Sequence, residues 1–481
     1  MQDSERAALE LDEIAGLDVT DFTAPFETFT GADGKAFPWY LLRFHKNGEL
    51  CSPQALSALL QDLAGGAFTD VFLFSHGWNN DWPAAEARYR TFIENMVRLR
   101  RDFPSPHGRP LRALLIGVIW PSTSWMLPWE KGPRIAASAG PVLGAATDLP
   151  SHLSPGAELG TLLGASSLDG GQARRLAELL AEDRPDEDRS SPDRSPADRS
   201  PEDRSPEDLL SAWRAVAAQE AAWAGGGERL FEEGGFVDEG DDGSGAAASD
   251  PAAAGLGKLD PRGALRALTV WKMKDRAGKV GRRGVAPVLE RIRQACAAHI
   301  HLVGHSFGAK VVCDAVAAAA LEPGSVRSML LLQPAVSAWC FGSQLPGSQD
   351  LPSGKDGGPV VGGYRPVLGR VELPILTTFS RQDVPLRKIF HLALRRRRDL
   401  GEVSAASEVP RWAALGGYGP QGLSAEEMSE VEIPSPGEHL DLETRARVLA
   451  LQGHERIGGH GDVVSDSTAW TLWSLVDFGR A

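Results

Sequence analysis

Cysteine is scarce in this chain. Four residues (Cys51, Cys296, Cys313 and Cys340) are spread over 481 positions, and none belongs to a CxxC pair. That is too few for a disulfide framework and suits a reducing compartment. Positive charge is also in deficit: 50 Lys and Arg face 64 Asp and Glu, a net charge of −14. Such a balance argues against nucleic acid or an anionic membrane surface as a partner. The one dense basic run, Arg395–Arg398, reads as the solvated end of a helix over 384–398, where cations suit the helix dipole. No stretch reaches the roughly 18 consecutive apolar residues of a membrane helix. The opening MQDSERAALELDEIAG has no basic segment followed by an apolar one, so no secretory signal is expected. There is no HExxH, and no GxGxxG follows a strand, so neither a metal nor an organic cofactor is expected. These absences predict a soluble, cytoplasmic protein; they leave its oligomeric state open.

What is present is an alternation of apolar strands and amphipathic helices. Strands are predicted over 36–44, 112–122, 300–303, 328–336 and 447–453, and strands running into turns over 70–81 and 373–383. Helices are predicted over 53–66, 84–103, 284–299, 307–321 and 462–478. Alternation of this kind predicts an α/β architecture: a mostly parallel central sheet with helices on both faces. Residues 1–35 read as an acidic lead-in. The core is split into 36–125 and 261–481 by an insert over 126–260, rich in Ala, Gly, Pro, Asp and Ser. Within the insert, 182–208 repeats Asp-Arg-Ser-Pro with a five-residue period. That repeat cannot build a packed face and reads as disordered, as does the acidic, Gly-rich stretch 232–250. Apolar pieces at 173–183 and 209–224 are candidate helices of a cap.

In an open parallel sheet the chemistry gathers beyond the carboxyl ends of the strands, and apt residues fall there. Gly304-His305-Ser306-Phe307-Gly308 matches G-x-S-x-G, which would arise by chance about 0.4 times in a chain of this length and composition. Its context is more specific than the pattern. An apolar strand precedes it and a long helix follows, as a turn exposing a serine nucleophile requires. A serine needs a base, and the base an orienting acid. Asp383 ends TTFSRQD, and His460 lies in IGGHGD just before the last helix. Asp350 is the rival acid and His454 the rival base. The turn FSHGWNND follows an early strand. It offers the Trp78 amide as a second oxyanion donor beside the Phe307 amide. His76 and His305 read as packing or hydrogen-bonding neighbours. Trp78, Trp82, Trp120, Trp125 and Trp129 crowd the same side and are candidates for lining an apolar pocket.

On the pieces SHGW, GVIWPS, VGHSFGAKVV, TTFSRQD and GGHGD, the chain resembles the α/β-hydrolase superfamily of serine esterases and lipases. The resemblance spans about 36–125 and 260–481 and leaves the insert unexplained. It implies a Ser306–His460–Asp383 triad, an oxyanion hole of the Phe307 and Trp78 amides, and a small-molecule or lipid ester as substrate. Thioesterase, amidase or peptidase chemistry on the same triad, and a catalytically silent scaffold used for binding, are the alternatives.

Overall fold

The computed structural model describes residues 23–66, 68–78, 80–105, 111–122, 157–182, 206–207, 209–211, 213–214, 259, 261–343, 361–390 and 413–478. Nine strands form one sheet: β1 Glu27–Thr30, β2 Ala36–Arg43, β3 Asp70–Ser75, β4 Ala113–Ile119, β5 His299–His305, β6 Ser328–Leu332, β7 Ile375–Phe379, β8 Met428–Glu432 and β9 Val448–Gln452. Their spatial order is β1-β2-β4-β3-β5-β6-β7-β9-β8. Every neighbouring pair is parallel except β1 with β2. The main helices are α1 Pro53–Ala64, α2 Trp82–Asp102, α3 Ala157–Gly164, α4 Gly170–Glu182, α5 Pro261–Lys279, α6 Ala286–Ala295 and α7 Phe307–Ala318. The short turns α8 Val367–Arg370 and α9 Leu415–Tyr418 and the closing helix α10 Asp466–Asp477 complete the set.

The strands are sealed on both faces because their side chains alternate between two cores. Val71 and Leu73 of β3, with Leu114, Ile116 and Val118 of β4, join α1, α6 and α7 on one face. Phe72 and Phe74, with Leu115 and Ile119, join α2 and α10 on the other. A period of two with both phases apolar is the signature of a sheet covered on each side. The last helix is pinned to α2 by a half-buried bidentate ion pair, Arg100 to Asp477 (2.9 and 3.0 Å), with Trp473 Nε1 donating to Met96 O at 2.9 Å.

Chain order reverses between β3 and β5, which are neighbours in the sheet. The helix after β3 (α2) covers one face, and the helix after β5 (α7) covers the other. In open parallel sheets ligands bind above the carboxyl ends of the strands at such a switch point. Ser306 and the 76–80 turn lie there.

Three features depart from the sequence expectations. β1 falls inside the stretch read as a lead-in. It forms a hairpin with β2, and Phe26 and Phe29 pack on Trp39 at ring separations of 5.2 and 5.8 Å. β8 has the polar sequence MSEVE and is largely exposed. It carries no apolar alternation to betray it, because it is an edge strand with outward glutamates that discourage further pairing. Finally, the helix expected from 284 begins at Pro261. It runs through α5, a π-helical turn at Val280–Val285 and α6, about 50 Å of continuous helix at 1.5 Å per residue.

Arg276 on α5 donates to Pro121 O just after β4, at 2.5 Å. The helix thus passes the carboxyl ends of the strands at that point. Its earlier turns carry a separate small core: Ala264 and Trp271 with Leu159, Leu162, Leu176, Leu180, Leu210 and Trp213. The apolar piece read at 173–183 is α4, and part of the one at 209–224 is helical; α3 was not foreseen. Most of the repeat over 182–208 lies outside the described residues, as do 232–250 and 391–398. The helix read over 384–398 appears, within the described residues, as a π-helical turn at Pro385–Ile389. Among the described residues no helix is long and apolar enough to cross a membrane.

Candidate active site

β5 ends at His305, and α7 begins at Phe307. Ser306 alone makes the turn, at φ +55° and ψ −124°, a conformation L side chains seldom adopt. Its backbone is held on both sides: the N–H donates to Leu332 O at 3.1 Å, and the carbonyl accepts from Ala335 N at 3.1 Å. Gly308 lets α7 start tight against the neighbouring strand. A Cβ there would fall 2.1 Å from Ser75 O and 2.5 Å from His76 O. Gly77 does the same for the facing turn, where a Cβ would stand 2.6 Å from Ser306 Cβ.

The three residues expected to act together do meet. His460 Nε2 lies 2.8 Å from Ser306 Oγ, and His460 Nδ1 lies 2.8 Å from Asp383 Oδ2. Ser306 and Asp383 are buried, while the His460 side chain stays 24% exposed and so remains open to solvent. Asp383 Oδ1 accepts the Leu386 N–H at 3.0 Å, and Oδ2 also accepts Gln333 Nε2 at 2.9 Å. With the carboxylate bonded to Nδ1–H, Nε2 is the nitrogen left free to accept the serine proton. The loop carrying His460 is fixed by consecutive carbonyls. His305 Nε2 donates to His460 O at 2.9 Å, and Arg88 donates to Gly461 O at 3.1 Å.

His454, the rival base, stands elsewhere. Its Nδ1 accepts the Arg381 N–H at 3.2 Å, and its ring sits edge-on to Phe379. It supports the loop that bears Asp383. Asp350 lies outside the described residues.

The 76–80 turn is held from beneath. His76 N donates to Tyr89 Oη at 2.6 Å, and Tyr89 Oη donates to Val118 O at 2.7 Å. His76 Nε2 accepts the Trp120 N–H at 3.2 Å while Nδ1 donates to Gly77 O at 2.9 Å. Asn80 Nδ2 binds the Gly77 and Trp78 carbonyls at 3.2 and 2.9 Å. Trp120 stacks on His76 at 5.3 Å and is buried. It is therefore a structural element of the turn rather than pocket lining. Trp78 and Trp82 are partly buried; Trp125 and Trp129 lie outside the described residues. Phe307, as first residue of α7, has an N–H with no acceptor one turn back in the helix.

Chemistry-bearing residue types alone do not mark a site. A second Ser-His-Asp set lies at the amino ends of the same strands: His301 Nδ1 is 2.7 Å from Ser328 Oγ, and Nε2 is 3.0 Å from Asp70 Oδ1. All three have zero exposure, so no substrate reaches them, and they serve as a polar tie across β3, β5 and β6. A cavity of about 510 Å³ is also at that end, between Arg365, Arg447, Glu372 and Glu427, and contains none of the residues around Ser306. Among the described residues no cluster of His, Cys, Asp and Glu is arranged to hold a metal ion.

Burial pushes His76 down to about 4 and His301 to about 3, and it holds His305 well below the usual range. These rings stay neutral in the fold but charge near pH 6.5 once unfolded. Between pH 6.5 and about 4 the unfolded chain therefore binds more protons, and stability falls as pH falls. Each withheld proton contributes about 1.4 kcal/mol per pH unit. The urea midpoint is expected to drop sharply from pH 7 to pH 5; equal midpoints would contradict the buried neutral rings.

Compared with known proteins, the chain matches no family model, no curated protein and no solved structure.

Proposed function

We propose that this protein is a serine hydrolase of the α/β-hydrolase type, cleaving a carboxylic ester through an acyl-enzyme. The observation that carries the reading is the Ser306–His460–Asp383 arrangement, with both contacts at 2.8 Å, mounted on a strained turn directly after β5. Ser306 Oγ attacks the ester carbonyl as its proton passes to His460 Nε2. Asp383 stabilises the imidazolium through Nδ1–H. The Phe307 and Trp78 amides receive the developing oxyanion, aided by the amino end of α7. His460 then returns the proton to the departing alkoxide and activates water to free the acid. The buried hydrogen bonds beneath the 76–80 turn favour this role for Trp78, since they fix the turn before substrate arrives and so avoid reorganisation during the reaction.

The substrate is a small-molecule or lipid ester. A thioester, amide or peptide would use the same residues, and the pocket alone separates them. The core that α3 and α4 form on the early turns of α5 suits a cap over the carboxyl ends of the strands. The test is labelling of the full chain with a fluorophosphonate, the modified peptide being located by mass spectrometry. A single adduct on Ser306, formed at least ~100-fold more slowly in His460→Gln, is the expected result. Folded protein that takes no label overturns the reading in favour of a silent scaffold.

A further inference from the structure

We propose that Gln333 is a positioning residue for the triad acid, its carboxamide holding the Asp383 carboxylate aimed at His460. The inference rests on the hydrolytic reading of Ser306, His460 and Asp383. Among the described residues only two non-glycine residues have positive φ: Ser306 at +55° and Gln333 at +40°. They occupy equivalent places, each directly after its strand, on the adjacent strands β5 and β6. Backbone strain of this kind persists where the surroundings over-determine it, and it concentrates at functional sites. At Ser306 the strain presents a nucleophile. At Gln333 it sends a side chain with zero exposure into the loop that bears Asp383.

The hydrogen bonding of that side chain is complete and directional. Nε2 donates to Asp383 Oδ2 at 2.9 Å and to Gly416 O of α9 at 3.0 Å. Oε1 accepts Thr378 Oγ1–H at 3.0 Å, and Thr378 Oγ1 accepts the Gln333 backbone N–H at 2.8 Å. A flipped amide would set its oxygen against a carboxylate and a carbonyl, so chemistry dictates the orientation. Thr378 is on β7 and Asp383 is in the turn that follows it. Gln333 therefore clamps the acid's loop at both ends to the end of β6. The sequence reading missed it because a glutamine after a strand carries no motif.

Asp383 sits beyond the reach of solvent and has three donors: His460 Nδ1, Gln333 Nε2 and the Leu386 N–H. Without the Gln333 donor the buried carboxylate is short of one partner. Proton uptake by the Asp383–His460 pair then becomes easier, whichever of the two takes the proton. The other titratable and charged groups around the pair stay in place. His305 lies 5.1 Å from the His460 ring, and Asp462 binds the Gly458 N–H. Arg88 binds Gly461 O, and Arg381, Arg387 and His454 lie along the Asp383 loop.

Gln333→Met keeps the bulk and removes the donor; Gln333→Leu removes the same donor with a branched apolar side chain. Both are to be made in the full chain, grown with [13Cε1]histidine. The His460 resonance is assigned from His460→Gln and followed by NMR through pH, and fluorophosphonate labelling rates are measured in parallel. In both variants the His460 titration midpoint is expected to move up by about half a pH unit or more, with labelling slowed roughly tenfold. On an ester substrate the loss should appear in kcat with KM nearly unchanged. Folded variants with an unmoved His460 midpoint overturn the proposal, even if labelling slows, because a merely structural role predicts that pattern. A moved midpoint in a protein whose wild type takes no label keeps the Gln333–Asp383 coupling and overturns the hydrolytic reading.

Discussion

Ser306→Ala is expected to abolish ester turnover, by roughly 10⁴-fold to 10⁶-fold, while leaving the fold intact. The variant removes only Oγ, which touches His460 Nε2 at 2.8 Å. Alanine must still occupy φ +55°, so the strain of the turn remains and the melting temperature should stay within about 2 °C of wild type. Ser306→Gly should be equally inactive yet more stable than Ser306→Ala by about 1 kcal/mol, because glycine adopts that φ without steric cost. Turnover and thermal melts of the two variants check both halves. Retained turnover in either would remove Ser306 from the chemistry.

The second large effect lies two residues further on. Gly308→Ala would place a methyl group 2.1 Å from Ser75 O and 2.5 Å from His76 O. Both partners are main-chain atoms, one in the last residue of β3 and the other opening the 76–80 turn, so neither can swing aside as a side-chain tip can. Either α7 backs away from β3 or the turn is displaced. The cost of such overpacking is about 3 kcal/mol or more, a fall of roughly 5 °C or more in melting temperature. Because Phe307 N–H opens α7 and Trp78 N–H belongs to the displaced turn, activity should fall by more than tenfold even where the protein is fully folded. Wild-type melting and activity in Gly308→Ala would mean that α7 and β3 are less closely packed than these distances require.

The two variants separate what is local from what is not. Ser306 and Gly308 were legible because their signals are contiguous: an apolar strand, a single polar turn residue, glycines where main chains approach, then a helix. The strands β2 to β7 and β9 were legible for a related reason, since parallel strands buried on both faces must be apolar throughout. β8 and β1 escaped because edge strands are excused from that requirement. α5 escaped because its early turns pack on the small core of α3 and α4 rather than on the sheet, so its apolar positions do not follow the pattern of a helix lying on strands.

The sequence by itself determined that the chain builds a mostly parallel α/β sheet and that Ser306, Asp383 and His460 all follow strand ends in that order. Those are consequences of burial and of local turn sterics, which act on neighbouring residues. Only the tertiary structure decided that His460 and not His454 faces Ser306 and that Asp383 accepts from His460. It alone decided that Gln333 completes the acid's hydrogen bonds, and that Asp70, His301 and Ser328, the same residue types, are sealed at the other end. Contacts across the sheet, between residues as far apart as Ser306 and His460, depend on strand order. Order is set by how two cores close on opposite faces, which no single stretch of sequence records.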